Sequence, residues 1–218
     1  MSIADNLHKL EKEVENKACI VAVSKYSEDP AVLEAYEHGH RHFGENKAQD
    51  LAARYERLPQ DIHWHFIGHL QRNKVRYIAP FIHLIHSVDS LRLLREIDKR
   101  AAQAERSIDC LLQVHIAREE SKFGLDADEL HELLASKELA ELGNIRIKGL
   151  MGMATNTEKE DTIRSEFSYL RQLYISSAQS DLPANAEMSI LSMGMSQDYR
   201  IALQEGSNML RVGSAIFS

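Results

Sequence analysis

Short apolar runs alternate with segments of helical periodicity along this chain, and eight such runs are present. The first is rich in Val and Ile, which is typical of a strand buried on both faces of a parallel sheet. The runs lie at residues 19–24, 41–43, 63–67, 82–86, 110–116, 145–150, 188–191 and 209–212. Strands separated by helices pair in parallel through right-handed crossovers, and eight repeats are enough to close the sheet. The alternation therefore predicts an α/β fold, a single (β/α)8 TIM barrel.

Helical signals lie where such a barrel requires helices. A leading helix is indicated by apolar residues at helical spacing, Ile3, Leu7, Leu10 and Val14. Pro30 is placed to open a helix in its first turn, and Asp89 is placed to cap a later one. An open, doubly wound sheet is the alternative, but no G-x-G-x-x-G pattern follows the first run. We expect one domain over residues 1–218.

Composition narrows the class of protein. The chain has 218 residues, of which 44% are hydrophobic and 27% charged, as is usual for a globular protein. The formal net charge of -7 argues against nucleic acid as a partner. Cys19 and Cys110 lie in apolar runs, where reduced buried thiols are expected. No apolar stretch has the length of a membrane span, and the first residues lack the pattern of a signal peptide, so we expect a cytoplasmic protein without a membrane partner.

Lys25 stands at the carboxyl end of the first run, and functional groups in such barrels lie at that end of the strands. Burial at the rim of a strand disfavours the charged ammonium and favours the neutral amine. A neutral lysine amine attacks aldehydes and ketones to form a Schiff base. Lys25 is therefore a candidate nucleophile.

Two turns of small residues follow the seventh and eighth runs, the place where barrels of this kind bind phosphate. The first begins after Ser192 and contains Ser196, which we expect to cap the next helix; the second contains Gly213 and Ser214. Strand eight neighbours strand one in a closed barrel, so both turns would lie beside Lys25. A lysine next to a phosphate site suggests pyridoxal 5'-phosphate (PLP).

Arg211 lies two residues before Gly213 and is placed to address the pyridine nitrogen of PLP. A guanidinium only donates hydrogen bonds, so it would leave that nitrogen unprotonated and weaken the cofactor as an electron sink. Carbanion chemistry is then disfavoured. The alternative for Arg211 is an ion pair that closes the bottom of the barrel.

Motifs spread over the whole chain resemble those of the pyridoxal phosphate homeostasis proteins, the YggS/PROSC family. They are VAVSK at 21–25, FGENK at 43–47, WHFIGHLQRNK at 64–74, IHSVD at 85–89, ESKFG at 120–124, LM at 150–151, MGMSQD at 193–198 and RVGSAIF at 211–217.

The resemblance implies a barrel similar to the N-terminal domain of alanine racemase (PLP fold type III), with no second β-domain. It implies PLP held as a Schiff base on Lys25, without established turnover. The other cofactor-binding residues expected are Asn46, Ser192, Ser196, Arg211, Gly213 and Ser214.

We accordingly predict a carrier that holds PLP reversibly, buffers it and delivers it to PLP-dependent apoenzymes, acts as a monomer and is not an enzyme. Proton abstraction from an amino acid needs a positioned acid or base. Since the eighth run lies next to residue 218, we expect no second domain to supply one. Two alternatives remain open. One is a fold-type-III enzyme acting on an amino acid, with a residue such as His65 or a group from a partner as base; the other is a class I aldolase that works without a cofactor.

Histidines are concentrated in the first half of the chain, at positions 38, 40, 42, 63, 65, 69, 83 and 86. No H-E-x-x-H pattern, cysteine pair or carboxylate partner accompanies them, so we expect no metal site. His65 and His86 either border the cofactor or form local hydrogen bonds. Lys122 is the competing amine, but it lies in a polar loop with acidic neighbours, which suits a second, transient PLP contact better than the Schiff base.

Overall fold

Eight parallel strands close into a barrel in chain order in the computed structural model, which describes residues 2–118 and 123–218. The strands are β1 (Cys19–Val23), β2 (His42–Glu45), β3 (His63–Phe66), β4 (Leu84–Val88), β5 (Ile108–Val114), β6 (Ile145–Gly152), β7 (Ala186–Ser192) and β8 (Met209–Val212). β1 closes the barrel against β8, with Cys19 opposite Met209 and Val21 opposite Arg211. The predicted (β/α)8 barrel is confirmed.

Ten α-helices occupy the described ranges. They are α1 (Ile3–Val14), α2 (Asp29–Glu37), α3 (Ala48–Arg57), α4 (Val75–Ile78), α5 (Leu91–Gln103), α6 (Ala127–Leu134), α7 (Lys137–Glu141), α8 (Glu160–Gln179), α9 (Tyr199–Gln204) and α10 (Ser214–Phe217). The predicted leading helix is α1, and Pro30 lies in the first turn of α2, as expected. The prediction that Asp89 caps α5 is wrong. Ser90 is the cap, because its hydroxyl accepts the Leu93 amide at 3.3 Å.

Some strand limits differ from those predicted. β4 begins at Leu84 rather than at residue 82, because the amide of Ile82 still bonds to the carbonyl of Ile78 and so extends the turn after α4. β7 begins at Ala186, where exposed and half-buried residues alternate and obscure the apolar pattern. These shifts leave the order of the strands unchanged.

Two apolar layers hold the barrel together. The larger lies between the strands and the helices, and its largest fully buried side chains include Phe43, Trp64, Phe66 and Phe167. The smaller fills the barrel interior and consists of Val21, Leu84, Leu111, Met151 and Met209. Hydrophobic burial on both faces of the strands drives this arrangement.

Two further expectations concern cysteines and membranes. Cys19 is half-buried, Cys110 is buried, and both thiols are free, as predicted. Within the described ranges, every helix falls short of the length or the apolar character needed to cross a bilayer.

Candidate functional site

A cavity of about 1120 Å³ opens at the carboxyl ends of the strands. Six of the seven predicted cofactor-binding residues line it: Lys25, Asn46, Ser196, Arg211, Gly213 and Ser214. They come from the loops after β1, β2, β7 and β8, from β8 itself and from the first residue of α10. Residues from both ends of the chain therefore meet here. Lys122 lies outside the described residues.

Lys25 lies two residues beyond the end of β1, at the mouth of the cavity. Its side chain is exposed, with Nζ 4.9 Å from the centre of the exposed Tyr26 ring. The expectation that burial desolvates this amine is therefore wrong, because the strand ends before Lys25 and the loop carries the side chain outward. The exposed position leaves the amine open to an aldehyde arriving from solvent.

A buried ion pair holds the loop that carries Lys25. Arg54 of α3 donates to the carboxylate of Glu45, at the end of β2, at 2.7 Å, and the hydroxyl of Ser24 donates to the same oxygen at 2.7 Å. Arg54 also donates to the backbone carbonyls of Ser24, at 3.1 Å, and Ser27. These carbonyls lie on either side of Lys25, so the guanidinium fixes the backbone of its loop.

Burial raises the pKa of the Glu45 carboxyl, and the hydrogen bond from Ser24 and the charge of Arg54 act against that shift. Sequence reasoning assigned no role to Glu45, Arg54 or Ser24. Glu45 does fall within the motif at 43–47, but only the fold brings α3 and the loop after β1 to its carboxylate.

Asn46 reaches the cavity from the residue after β2, and its backbone is in close contact with Gly68. A Cβ added at Gly68 would lie 2.4 Å from the Asn46 carbonyl oxygen and 2.8 Å from its Cα. Only glycine allows the two loops to approach this closely. Gly68 therefore positions Asn46.

Ser196 joins the two small-residue turns. Its hydroxyl oxygen accepts from the backbone amides of Gly213, at 3.1 Å, and Ala215, at 3.3 Å. The prediction that Ser196 caps the next helix is wrong, since α9 begins at Tyr199 after Asp198. The predicted proximity of the two turns is correct, and hydroxyl and amide groups are concentrated where they join.

Arg211 is buried in the barrel wall, and its guanidinium borders the cavity. It donates to the Ser192 hydroxyl at 2.6 Å and to the Gly152 carbonyl at 2.9 Å. The alternative of an ion pair at the barrel bottom is therefore wrong. Burial lowers the pKa of Arg211 to about 10, with the charge of Asp198 acting in the opposite direction. The group stays charged near neutral pH and acts only as a donor.

Ser192 is fully buried and is not among the residues that line the cavity. It contacts the cavity through Arg211, whose position it sets. A direct contact between Ser192 and the cofactor stays a prediction.

Below Ser192, a column of histidines crosses the barrel interior. The ring of His86 bonds to the Ser192 hydroxyl at 3.1 Å and to His65 at 2.8 Å. The ring of His65 bonds in turn to His42 at 3.0 Å. His65 and His86 are fully buried, and burial lowers the pKa of each imidazole well below the ordinary 6.5.

Of the two options for these histidines, the structure therefore shows local hydrogen bonding. His65 bonds to two other imidazoles beneath the cavity, so it does not reach the cavity as the base of an enzyme. The column was not foreseen, because its members lie on separate strands.

Comparison with known proteins agrees with this geometry. The family model for the N-terminal domain of alanine racemase matches residues 1–218. The pyridoxal phosphate homeostasis protein of Aquifex aeolicus is 36% identical over 204 residues, covering 93% of this chain and 87% of its own. That of Helicobacter pylori strain 26695 is 39% identical over 203 residues, covering 91% and 86%.

A solved structure shows the same relationship in three dimensions. PipY of Synechococcus elongatus PCC7942, with PLP bound, is 34% identical and superposes over 100% of both chains with a TM-score of 0.88. The chain belongs to the alanine racemase N-terminal domain family and, within it, to the pyridoxal phosphate homeostasis proteins.

Proposed function

We propose that this protein binds PLP reversibly and buffers or delivers it, without catalytic turnover. The observation that carries the proposal is the convergence of Lys25, Arg211 and the Ser196–Gly213–Ser214 turns on one cavity. A primary amine, a fixed cation and a group of hydroxyls and backbone amides match the aldehyde, the ring nitrogen and the phosphate of PLP. Relatives named for PLP homeostasis, and the similar structure of PipY with PLP bound, support this assignment.

The cavity has the size and the polar groups that the cofactor requires. Its volume of about 1120 Å³ lies slightly above the range of about 300–1,000 Å³ usual for small-molecule sites. Ser196, Gly213 and Ser214 would hold the phosphate, Asn46 the side of the ring, and Arg211 the ring nitrogen. PLP would supply the aldehyde that makes binding covalent.

Lys25 accounts for reversible binding. Its amine condenses with an aldehyde to form a C=N bond and releases one water molecule, and addition of water reverses the reaction. Because the side chain is exposed, water and competing amines reach the same bond. Reversibility of this kind suits a carrier that gives up its cargo.

Arg211 favours storage over turnover. As a donor that remains charged near neutral pH, it would keep a proton off the ring nitrogen and so reduce electron withdrawal by the ring. Ser192 and Gly152 hold the guanidinium in place. The cofactor would then be retained in a form of low reactivity toward amino acids.

The central experiment locates the covalent bond. Purified protein mixed with PLP is expected to absorb visible light, and borohydride is expected to fix the adduct to Lys25, as read by mass spectrometry of the reduced chain. Lys25→Ala should abolish both signals. Lys47→Ala is the matched control, because Lys47 is exposed and pairs with Asp50 at 3.8 Å outside the cavity. An adduct on any other side chain contradicts the proposal.

Two further measurements test the carrier role. Incubation with a panel of amino acids in deuterated water should give no deuterium at the α-carbon, and exchange faster than that caused by free PLP would show an enzyme instead. The loaded protein should reactivate a PLP-dependent apoenzyme, whereas protein reduced with borohydride should not. We further propose that the carrier is a monomer, which light scattering of the loaded protein tests.

A further inference from the structure

Three histidines come together at the opposite end of the barrel from the cavity. His42 and His63 are the first residues of β2 and β3 and are paired in register. His83 immediately precedes β4, and its amide donates to the Trp64 carbonyl of β3 at 2.9 Å. The barrel backbone therefore holds all three side chains at neighbouring strand starts.

The three rings are close enough to share one ion. A ring nitrogen from each lies within 4.8 Å of the corresponding nitrogens of the other two. The ring of His42 is 4.8 Å from that of His63 and 5.7 Å from that of His83, centre to centre. Tetrahedral zinc holds its nitrogen ligands about 3.4 Å apart, as follows from Zn–N bonds of about 2.1 Å. The rings of His63 and His83 are stacked, with centres 4.5 Å apart and planes 10° from parallel. Because both side chains are exposed, one ring has room to rotate out of this stack and turn its nitrogen toward a shared ion.

His42 is oriented as a metal ligand requires. The Nδ1 of His42 bonds to Nε2 of the buried His65 at 3.0 Å. The Nε2 of His42 therefore points toward Nδ1 of His63, which is 3.5 Å away. Histidine ligands characteristically have the second ring nitrogen held by a hydrogen bond, which fixes the ring in its binding orientation. The column of buried histidines provides that support.

We propose that His42, His63 and His83 bind a divalent transition metal of the zinc class at the amino-terminal end of the barrel. Three imidazoles suit zinc and its neighbours, and they leave a fourth position for water. The absence of a metal motif in the sequence led to the opposite expectation. That expectation assumed ligands close together along the chain, whereas these come from three strands.

The site has a structural role in this proposal. It lies at the end of the barrel where side chains contribute to stability rather than to chemistry. A metal there ties together the starts of β2, β3 and β4, and binding to the folded state alone stabilises that state.

Cobalt(II) spectroscopy tests the proposal on the untagged full-length chain after treatment with a chelator. We expect one Co²⁺ per chain, with the strong visible bands of a tetrahedral complex, displaced by an equivalent of Zn²⁺. His63→Ala and His83→Ala should each weaken binding roughly 100-fold or more, since loss of even an outer-shell partner costs about 10–100-fold. Zn²⁺ should also raise the melting temperature of the wild type but of neither variant.

His38→Ala is the matched control. His38 belongs to a second group with His8 and Glu11, the other trio with suitable spacing in the described ranges, and all three are exposed. This variant should bind Co²⁺ like the wild type. The proposal is overturned if the wild type binds no Co²⁺ with tetrahedral bands. It is also overturned if binding survives in folded His63→Ala and His83→Ala, or if binding is lost in His38→Ala instead.

Discussion

The hydroxyl oxygen of Ser192 accepts a hydrogen bond of 2.6 Å from the guanidinium of Arg211, and both side chains are buried. β7 and β8, which carry them, are neighbours in the barrel. Ser192 also bonds to His86, so it links the cationic wall of the cavity to the histidines of the interior. The position of Arg211 therefore depends on a residue that does not itself line the site.

Replacing Ser192 should remove a hydrogen-bond acceptor that holds the guanidinium of Arg211 in place. Ser192→Ala leaves one arm of a buried guanidinium without its acceptor, at a cost of about 1.5–3 kcal/mol for a hydrogen bond to a charged group. Urea denaturation is expected to show that loss, and PLP titration is expected to show weaker binding. Ser189→Ala is the control on the same strand, because the Ser189 side chain is exposed. Equal stability of the two variants would contradict the assignment.

Arg54 should matter for both stability and PLP binding. Arg54→Met removes the partner of the buried Glu45 carboxylate and releases the carbonyls on either side of Lys25. Breaking a buried ion pair costs about 3–5 kcal/mol, and protonation of Glu45 reduces that cost. Arg57→Met on the same helix is the control, since Arg57 is exposed and pairs with Asp29. If Arg54→Met forms the Lys25 adduct at the wild-type rate, the ion pair does not position the loop.

Gly68→Ala should displace Asn46. The new methyl group would lie 2.4 Å from the Asn46 carbonyl oxygen, and such overpacking costs about 1–3 kcal/mol. Thermal unfolding should record the loss, with a parallel decrease in affinity for PLP. Gly143→Ala is the control, because its added Cβ meets nothing within 4 Å. Unchanged PLP affinity in Gly68→Ala would remove Asn46 from the binding site.

His86 should make stability depend on pH. Burial first, and the charge of Arg211 second, lower the pKa of His86 well below the value of 6.5 expected for the unfolded chain. As the pH falls below 6.5, the unfolded state therefore binds a proton that the native state does not. The free energy of unfolding should fall with pH in that window, by up to about 1.4 kcal/mol per pH unit for this one group.

Urea denaturation of His86→Gln between pH 7 and 5 checks this expectation, because the variant lacks the titrating group and should lose stability less steeply than the wild type. His131→Gln changes an exposed residue of α6 and should follow the wild-type curve. Parallel curves for the wild type and His86→Gln would show that His86 is not held neutral.

Much of the barrel, and several of the residues at the carboxyl ends of its strands, could be predicted from the amino-acid sequence. The apolar runs around Val21 and Leu210 and the helical spacing of Leu7 and Leu10 are local patterns, so strands and helices follow from neighbouring residues. Lys25 and Gly213 were identified for a related reason. Each lies within two residues of the end of a strand, and a barrel brings all such positions to one face.

The sequence did not predict contacts across the barrel or the exposure of individual side chains. His86 and Ser192 are 106 residues apart in the sequence, yet the imidazole of His86 bonds to the hydroxyl of Ser192 in the barrel interior. The pairing of Glu45 with Arg54, and the meeting of His42 with His83, likewise depend on how elements pack. Hydrogen bonds and ion pairs act over a few ångströms in space, whereas periodicity is a property of neighbours in sequence. Only closure of the sheet decided which polar groups face one another and that Lys25 points into solvent.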